Sequence, residues 1–233
     1  MRLSDVMFSQ GFGTRRICAG LIEQGHVAVG GQVIEDPSTE FDTEGLVLTV
    51  DDIAWPFFDK AVVMLNKPVD YECSQKPKHH PSVLTLLPPP LRNRGVQPIG
   101  RLDQDTTGML LLTEDGALIH RLTHPKRHVP KVYQAQCARP VTPEQIAKLL
   151  AGVVLLDDPK PVAAIACQAT GECSLSLTLG EGKYHQVRRM VAAVGNHVES
   201  LHRSQMGNLV LPADLPMGQW RWVGPAERAL LGA

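Results

Sequence analysis

The interpretation of this chain starts from one stretch, Gly100-Arg101-Leu102-Asp103-Gln104-Asp105-Thr106-Thr107-Gly108-Met109-Leu110-Leu111-Leu112-Thr113. Residues 109–113 are almost entirely apolar and are flanked by glycine and acidic residues, which predicts a strand that is covered on both faces. The turn before this strand carries Asp103, and loops held by a rigid sheet are where catalytic groups concentrate. From these residues alone, ordinary turn chemistry is the simpler explanation of an aspartate among threonines, and Asp103 is not distinguished from Asp105.

Length and composition indicate one domain of ordinary size together with a small one, because the chain has 233 residues of which 43% are hydrophobic. No apolar run approaches the roughly 20 residues of a membrane span, and the first residues lack a secretory h-region, so we expect a cytoplasmic location. Five scattered cysteines without a C-x-x-C pair indicate neither a disulfide framework nor a zinc site. We expect no bound metal, and in the absence of heptads a monomer.

Charge is distributed unevenly along the chain. Residues 1–58 contain three Lys and Arg against nine Asp and Glu, a net charge of −6, whereas residues 60–233 contain twenty against fourteen, a net charge of +6. The basic residues of the second part cluster around positions 76–94, 120–131 and 183–203. Such a segregation favours a polyanionic partner for the second part of the chain.

The first part of the chain has clear helix and hairpin signals. Thr14 is a good N-cap for a helix over residues 15–24, which Gly25 ends. Residues 27–34 then form two β-rich runs around Gly30-Gly31, which predicts a hairpin. Residues 46–50 predict a further strand.

A domain boundary is predicted between residues 52 and 60. Asp51-Asp52 and Trp55-Pro56 interrupt the strand pattern, and a buried strand begins at residues 61–65. We therefore divide the chain into residues 1–58 and 59–233. In the second domain the patterns predict helices at 83–87 and 143–150 and strands at 133–137, 163–167 and 175–179.

The first fifty residues resemble an S4 RNA-binding domain. The positions that carry the resemblance are Arg2-Leu3, Gly13-Thr14-Arg15-Arg16, Gly25-His26-Val27-Ala28-Val29-Gly30-Gly31 and Asp36-Pro37. The resemblance implies RNA contacts at Thr14, Arg15, Arg16 and His26. Because the domain is acidic overall, a packing module that does not bind RNA remains an alternative.

If Asp103 acts as an ionised nucleophile or base away from water, it needs a fixed cation. Full burial raises the pKa of a carboxylate by up to about 3–5 units. One positive charge at about 4 Å offers on the order of 4 kcal/mol at an effective dielectric constant near 20, which offsets about 3 of those units. The candidate cations are Arg101, Arg188 and Arg189.

Helical periodicity favours Arg188 among these three. Val187, Met190, Val191 and Val194 follow the i, i+3, i+4, i+7 spacing of a buried stripe. Arg188 flanks this stripe, whereas Arg189 points further toward solvent. A surface charge on an amphipathic helix explains Arg188 equally well from spacing alone.

Four blocks of the second domain together resemble the RNA pseudouridine synthases. They are Leu65-Asn66-Lys67-Pro68, Gly100-Arg101-Leu102-Asp103 with Asp105-Thr106-Thr107-Gly108, Lys131-Val132-Tyr133, and Gly180-Glu181-Gly182-Lys183-Tyr184-His185-Gln186-Val187-Arg188-Arg189-Met190. The resemblance implies an α+β protein in which a small N-terminal S4-like domain precedes a catalytic domain, built on a mixed, mostly antiparallel sheet with flanking helices. Tyr184-His185-Gln186 and Leu201-His202-Arg203 are most similar to the branch that modifies small-subunit ribosomal RNA.

The same resemblance implies a role for each site residue. Asp103 is the carboxylate that attacks the uridine nucleotide or initiates its cleavage, and Tyr133 stacks on the flipped uracil. Arg188 pairs with Asp103, and Arg101 takes the place of the extruded base or holds a phosphate. Lys67-Pro68 is interpreted as a structural turn. The reaction needs no cofactor.

The implied partner is small-subunit (16S) ribosomal RNA within a partly assembled ribonucleoprotein. Two alternatives remain open at this point. One is the same chemistry on large-subunit (23S) ribosomal RNA. The other is a non-catalytic RNA-binding or ribosome-assembly factor, for which Asp103 itself is not required.

Overall fold

A computed structural model of the protein describes residues 1–155 and 158–232 and divides the chain into two compact units. The first unit comprises residues 1–61 and 87–97, and the second comprises residues 62–86 and the chain from residue 98 onward. The helices and strands of the first unit are α1 (Leu3–Ser9), α2 (Arg15–Glu23), β1 (Val27–Val29), β2 (Gln32–Val33), β3 (Val47–Val50), β4 (Ile53–Pro56) and α3 (Pro89–Asn93).

The start of α2 and the β1–β2 hairpin confirm the sequence predictions for this unit. The Thr14 side chain accepts a hydrogen bond from the backbone of Ile17, so it caps the helix. Gly30 and Gly31 have φ of 59° and 82°, the left-handed values that both central residues of a type I′ turn require. Val29 therefore pairs with Gln32 across a two-residue turn.

The predicted break at Trp55-Pro56 is wrong, because both residues belong to β4. This strand pairs antiparallel with β3 and lies at the edge of a sheet with the order β2-β1-β3-β4. Proline is tolerated at the end of an edge strand, where its missing N–H removes no ladder bond to a further neighbour. The turn between β3 and β4 is formed by Asp51 and Asp52, which have φ of 47° and 63°.

The segment 87–97 joins the first unit through polar contacts. Asn93 donates to the carbonyl of Gly11 at 2.9 Å, and Arg94 donates to Gln10 Oε1 at 2.7 Å and to the carbonyl of Asp59 at 2.9 Å. A single boundary after residue 58 assigns residues 87–97 to the second domain, because they follow β5, the first strand of that domain, in sequence. In the structure these residues belong to the first unit.

The second unit contains the remaining helices and strands, together with short 3-10 helices at Val83–Leu86 and Pro125–Arg127. They are β5 (Val62–Lys67), β6 (Gln97–Pro98), β7 (Thr106–Thr113), α4 (Gly116–Thr123), β8 (Lys131–Cys137), α5 (Pro143–Ala151), β9 (Val153–Leu155), β10 (Asp158–Val162), β11 (Ala166–Gly171), β12 (Ser174–Leu179), α6 (Gln186–Ala193), β13 (Val198–Met206), β14 (Leu209–Val210), β15 (Trp220–Trp222) and α7 (Pro225–Ala229).

A mixed sheet forms the centre of this unit, with the strand order β11-β12-β8-β13-β7-β5-β15. Along this path of described strands, β13 and β7 pair in parallel and the other neighbours pair antiparallel. The predicted strand after Asp103 is confirmed as the second half of β7, and nearly every residue of β7 and every residue of β5 is buried. The turn that carries Asp103 therefore leads directly into the middle of the sheet.

The strand predicted at residues 163–167 begins later than expected. β11 starts at Ala166, because Ala164 donates its backbone hydrogen bond to the carbonyl of Leu149 in α5 at 2.9 Å. Ile165 is the first residue to bond to β12, through the carbonyl of Thr178 at 2.8 Å. In the part of the chain that the structure describes, no helix has the length and apolar character needed to cross a bilayer.

Candidate active site

Asp103 lies at the wall of a cavity of about 650 Å³ in the second unit. The cavity is also lined by Arg101, Tyr133, the C-terminal end of α4 and the segment 179–187. Cavities of this size are typical of small-molecule and cofactor sites. The structure therefore brings three of the predicted site residues, Asp103, Arg101 and Tyr133, to one concave surface.

Lys67 anchors the turn that carries Asp103. Its side chain is fully buried at the end of β5, and Nζ donates to the carbonyls of Pro68 at 2.9 Å, Gln104 at 3.2 Å and Thr106 at 3.0 Å. Burial lowers the pKa of this ammonium group, and nearby Cys73 and carboxylates oppose the shift. Two of the three carbonyls, those of Gln104 and Thr106, closely follow Asp103 in sequence, so Lys67 fixes the backbone on the C-terminal side of the carboxylate.

The basic side chain that lies against Asp103 is His185. Its Nε2 lies 3.3 Å from Asp103 Oδ1, and both side chains are about one-third exposed. His185 precedes α6 with φ of 48°, a left-handed conformation, and its ring stacks on Tyr184 with centroids 3.8 Å apart. The expectation that Asp103 pairs with Arg188 is wrong. His185 lies one position before α6, and its left-handed backbone turns the imidazole toward the carboxylate of Asp103.

Arg188 instead pairs with Asp105. Its Nη2 lies 2.8 Å from Asp105 Oδ2, although the angle does not satisfy a hydrogen bond, and its Nη1 donates to the carbonyl of Val198 at 2.9 Å. The guanidinium therefore ties α6 to the start of β13 and to the turn before β7. Whether Arg188 touches substrate stays a prediction.

Tyr133, Lys131 and Arg203 line the cavity from the central sheet. Lys131 and Tyr133 are two positions apart on β8 and so face the same side, and Tyr133 is the direct neighbour of Arg203 across the β8–β13 ladder. Burial lowers the pKa of Lys131 to about 8, and the charge of Arg203 adds to this effect. The sheet thus presents two cations and one aromatic ring to the cavity.

Gly108 permits the close approach of β7 and β13 at this point. Its φ is 103°, and a Cβ atom there would lie 2.3 Å from the carbonyl oxygen of Arg203. A side chain at residue 108 would therefore separate the strand of Arg203 from the strand that follows Asp103.

The RNA-binding residues predicted in the first unit are largely engaged within that unit. Arg15 lies over the ring of Phe8 and 3.7 Å from Asp5, and His26 Nδ1 lies 2.6 Å from Asp51. Thr14 caps α2, as described above. Arg16 is exposed and free of an ion pair in the described chain. An RNA-binding role for these four residues stays a prediction.

Three residues of the cavity were not assigned a role from the sequence. His185 and Lys131 lie within the motifs quoted above, and the spacing of two between Lys131 and Tyr133 is a signal that places both on one face of a strand. Arg203 also lies within a quoted segment, Leu201-His202-Arg203, but its place in the cavity depends on the pairing of β13 with β8, which puts it beside Tyr133.

The fold and this site define an RNA-modifying enzyme, and comparison with known proteins gives its family. Residues 61–193 match the family model described as RNA pseudouridylate synthase, and residues 1–47 match the S4 domain. The chain belongs to the RNA pseudouridylate synthase family and is an RNA pseudouridine synthase, an isomerase, with an N-terminal S4 domain. The predicted family, α+β fold class and enzyme class are confirmed.

Full-length relatives support this assignment. The ribosomal small subunit pseudouridine synthase A of Haemophilus influenzae is 34% identical over 97% of each chain, and that of Escherichia coli K12 is 36% identical over 95% of each. An uncharacterized RNA pseudouridine synthase of Bacillus subtilis is 35% identical and covers 99% of this chain and 98% of its own. A crystal structure of a pseudouridylate synthase is similar with a TM-score of 0.71, 32% identity and 99% coverage of both chains.

Proposed function

We propose that the protein converts a specific uridine of small-subunit (16S) ribosomal RNA to pseudouridine, with Asp103 as the reacting carboxylate. The observation that carries the proposal is that Asp103 and Tyr133 line one cavity. The printed names of the Haemophilus and Escherichia relatives, which match nearly the whole chain, support the choice of small-subunit RNA.

In the proposed reaction the target nucleotide leaves its stack and enters the cavity. Unstacking costs a few kcal/mol, which an aromatic partner for the base offsets. The side chain of Asp103 is about one-third exposed, which leaves its carboxylate open to a nucleotide. Asp103 attacks the nucleotide or initiates cleavage of the N1 glycosidic bond. The uracil turns and is rejoined to the ribose through C5, with Tyr133 stacked on the ring.

Several further features belong to the same proposal. Its substrate is a partly assembled small-subunit ribonucleoprotein, the protein acts as a monomer in the cytoplasm, and the reaction proceeds without a cofactor. The excess of basic residues in the second part of the chain supports a polyanionic substrate.

An Asp103→Asn variant tests the chemical role of the carboxylate. We expect loss of isomerisation with RNA affinity nearly unchanged, because asparagine keeps the size of the side chain and removes its nucleophilic charge. Asp105→Asn is the matched control, since Asp105 has the same side chain two residues away but pairs with Arg188. Full activity of Asp103→Asn would refute the assignment.

Mapping of pseudouridines tests the choice of substrate. Ribosomal RNA is compared between cells that lack the protein, cells that regain it and cells that regain Asp103→Asn. The proposal predicts one small-subunit position that is restored only by the unchanged protein. A restored position confined to large-subunit RNA would overturn the small-subunit assignment and leave the enzyme class intact.

A further inference from the structure

On its sheet side, the cavity beside Asp103 holds two cations, Lys131 and Arg203, that form no ion pair with a carboxylate of the described chain. Lys131 Nζ makes one hydrogen bond, to the carbonyl of Val129 at 2.9 Å, and Arg203 Nε makes one, to the carbonyl of Met109 at 2.8 Å. Arg203 is 2% exposed, and its Nη2 is buried without any hydrogen-bond partner in the described chain. By contrast, Lys183, which lines the same cavity, lies 3.9 Å from Glu181.

Two neighbouring cations in a poorly solvated place are unfavourable by themselves. A buried charge normally has a partner, and a buried donor without one costs about 1–3 kcal/mol. The repulsion between these cations contributes to the low pKa of Lys131. An arrangement of this kind indicates that an anion enters the cavity during the working cycle.

The walls of the cavity indicate which anion this is. The substrate presents two candidates, a phosphate of the RNA backbone and the uracil ring once it is detached. Leu122, Val129, Leu179 and Met206 line the same cavity together with Tyr133. Aliphatic and aromatic surfaces suit a flat base. A phosphate placed against them would lose hydration that these side chains cannot replace.

We propose that Lys131 and Arg203 form a cationic subsite that takes the negative charge of the uracil ring while the ring is detached from the ribose. Lys131, which is partly exposed, contacts the ring directly, and Arg203 acts through its charge from behind. The inference rests on the proposed function, because it requires the uracil of the substrate to occupy this cavity.

The charge on the ring follows from the bonds that change. When the C1′–N1 bond breaks, its electron pair stays on uracil, and the charge spreads over N1, O2, O4 and C5, while C1′ becomes electron-poor beside Asp103. After the ring turns, an electron pair on C5 forms the C1′–C5 bond. C5 then loses its proton and N1 gains one, so the product has the same atoms and charge as the substrate. Lys131 stays protonated throughout. Preorganised positive charge where negative charge develops is an effective source of catalysis.

The test uses the full-length protein with Lys131→Gln and Lys131→Arg. Single-turnover rates are measured at saturating small-subunit ribosomal RNA, and Kd is measured at several salt concentrations. We expect Lys131→Gln to lower the rate at least tenfold with Kd within twofold, and Lys131→Arg, which keeps the charge, to recover most of the loss. Lys148→Gln, an exposed lysine on α5, is the matched control for loss of a lysine charge.

Three results would overturn the inference. An unchanged rate in Lys131→Gln removes the need for the charge, and an equal loss in Lys131→Gln and Lys131→Arg indicates a requirement for shape only. A weaker Kd with a salt slope reduced by about 1 assigns Lys131 to a backbone phosphate. Asp103→Asn is assayed in parallel, so activity retained in that variant refutes the proposed function separately.

Arg203→Lys gives an independent measurement at the second cation. Lysine at this position loses the hydrogen bond from Arg203 Nε to the carbonyl of Met109 but keeps a positive charge. We therefore expect a smaller loss of rate in Arg203→Lys than in Arg203→Met. Thermal unfolding of both variants shows which part of the loss comes from the fold. Equal rates in the two variants, at equal stability, would contradict a role for the charge of Arg203.

Discussion

Arg15 and His26 in the first unit each lie against a carboxylate of their own unit, whereas Lys131 and Arg203 in the second unit have none in the described chain. The first unit is also acidic overall, and the second part of the sequence is basic. Arg15 is therefore already paired where the S4 domain is expected to bind RNA, whereas Lys131 and Arg203 are left without a carboxylate partner where the chemistry is proposed.

This difference separates two uses of a cation. A paired surface cation contributes little to binding a phosphate, because the new ion pair replaces one that already exists. An unpaired cation in a cavity is held in place before the substrate arrives, and its electrostatic interaction with the substrate becomes stronger as water is excluded. Affinity for RNA and acceleration of the reaction are thus expected to depend on different residues.

Lys67 represents a third case, a buried cation satisfied by backbone carbonyls, and its removal should have the largest effect. Lys67→Met leaves three carbonyls without their donor, and we expect the free energy of unfolding to fall by about 2–4 kcal/mol. The rate should also fall at least tenfold, because the turn with Asp103 loses its anchor. Denaturant unfolding and single-turnover assays measure both effects. Lys148→Met is the control, and equal stability of the two variants would refute the anchoring role.

The pH dependence of kcat/KM tests the unpaired state of Lys131. Because its pKa is lowered to about 8 in the free protein, deprotonation should reduce kcat/KM as pH rises through this value. Lys131→Arg should keep its charge and lose this decrease, whereas Lys131→Gln should be slow at every pH. If kcat/KM of Lys131→Arg decreases with pH in the same way, another group causes the decrease. The other titratable or charged groups that line the cavity are Arg101, Asp103, His124, Tyr133, Glu181, Lys183, Tyr184, His185 and Arg203.

The Asp105–Arg188 pair is expected to contribute modestly to stability. Asp105 is about half exposed and Arg188 mostly buried, so solvent screens the pair and we expect a coupling of about 0.5–1 kcal/mol. A double-mutant cycle with Asp105→Asn and Arg188→Gln measures it by denaturant unfolding. A larger coupling between Arg188 and Asp103 in the same kind of cycle would restore the pairing predicted from the sequence.

Much of the fold followed from local signals in the sequence. The Thr14 cap, the glycine turn after β1 and the apolar run of β7 are each determined by neighbours in the chain. The edge position of β4 is determined by pairing with another strand, which the local pattern does not contain, and so that pattern wrongly predicts a break at its proline.

The candidate site was only partly predictable for the same reason. Helical periodicity correctly placed Arg188 beside a buried stripe, but the partner of Asp103 depends on the left-handed backbone of His185. No periodicity signals such a conformation in a residue other than glycine. Arg203 reaches the cavity only through the register of β13 on β8, which pairs residues 70 positions apart.

The smallest expected effect concerns two adjacent arginines at the start of α2. Arg15 is engaged by Phe8 and Asp5, whereas Arg16 is exposed and without an ion pair in the described chain. If the S4 domain contacts RNA, Arg16→Gln should weaken Kd about two- to fivefold and reduce the salt slope by about 1, because a free cation releases counterions on binding phosphate. Arg15→Gln should change Kd less than twofold. Filter binding at several salt concentrations measures Kd and the salt slope of both variants, which differ only in which arginine of α2 is replaced. A larger loss in Arg15→Gln would show that pairing with a surface carboxylate does not withdraw a cation from RNA.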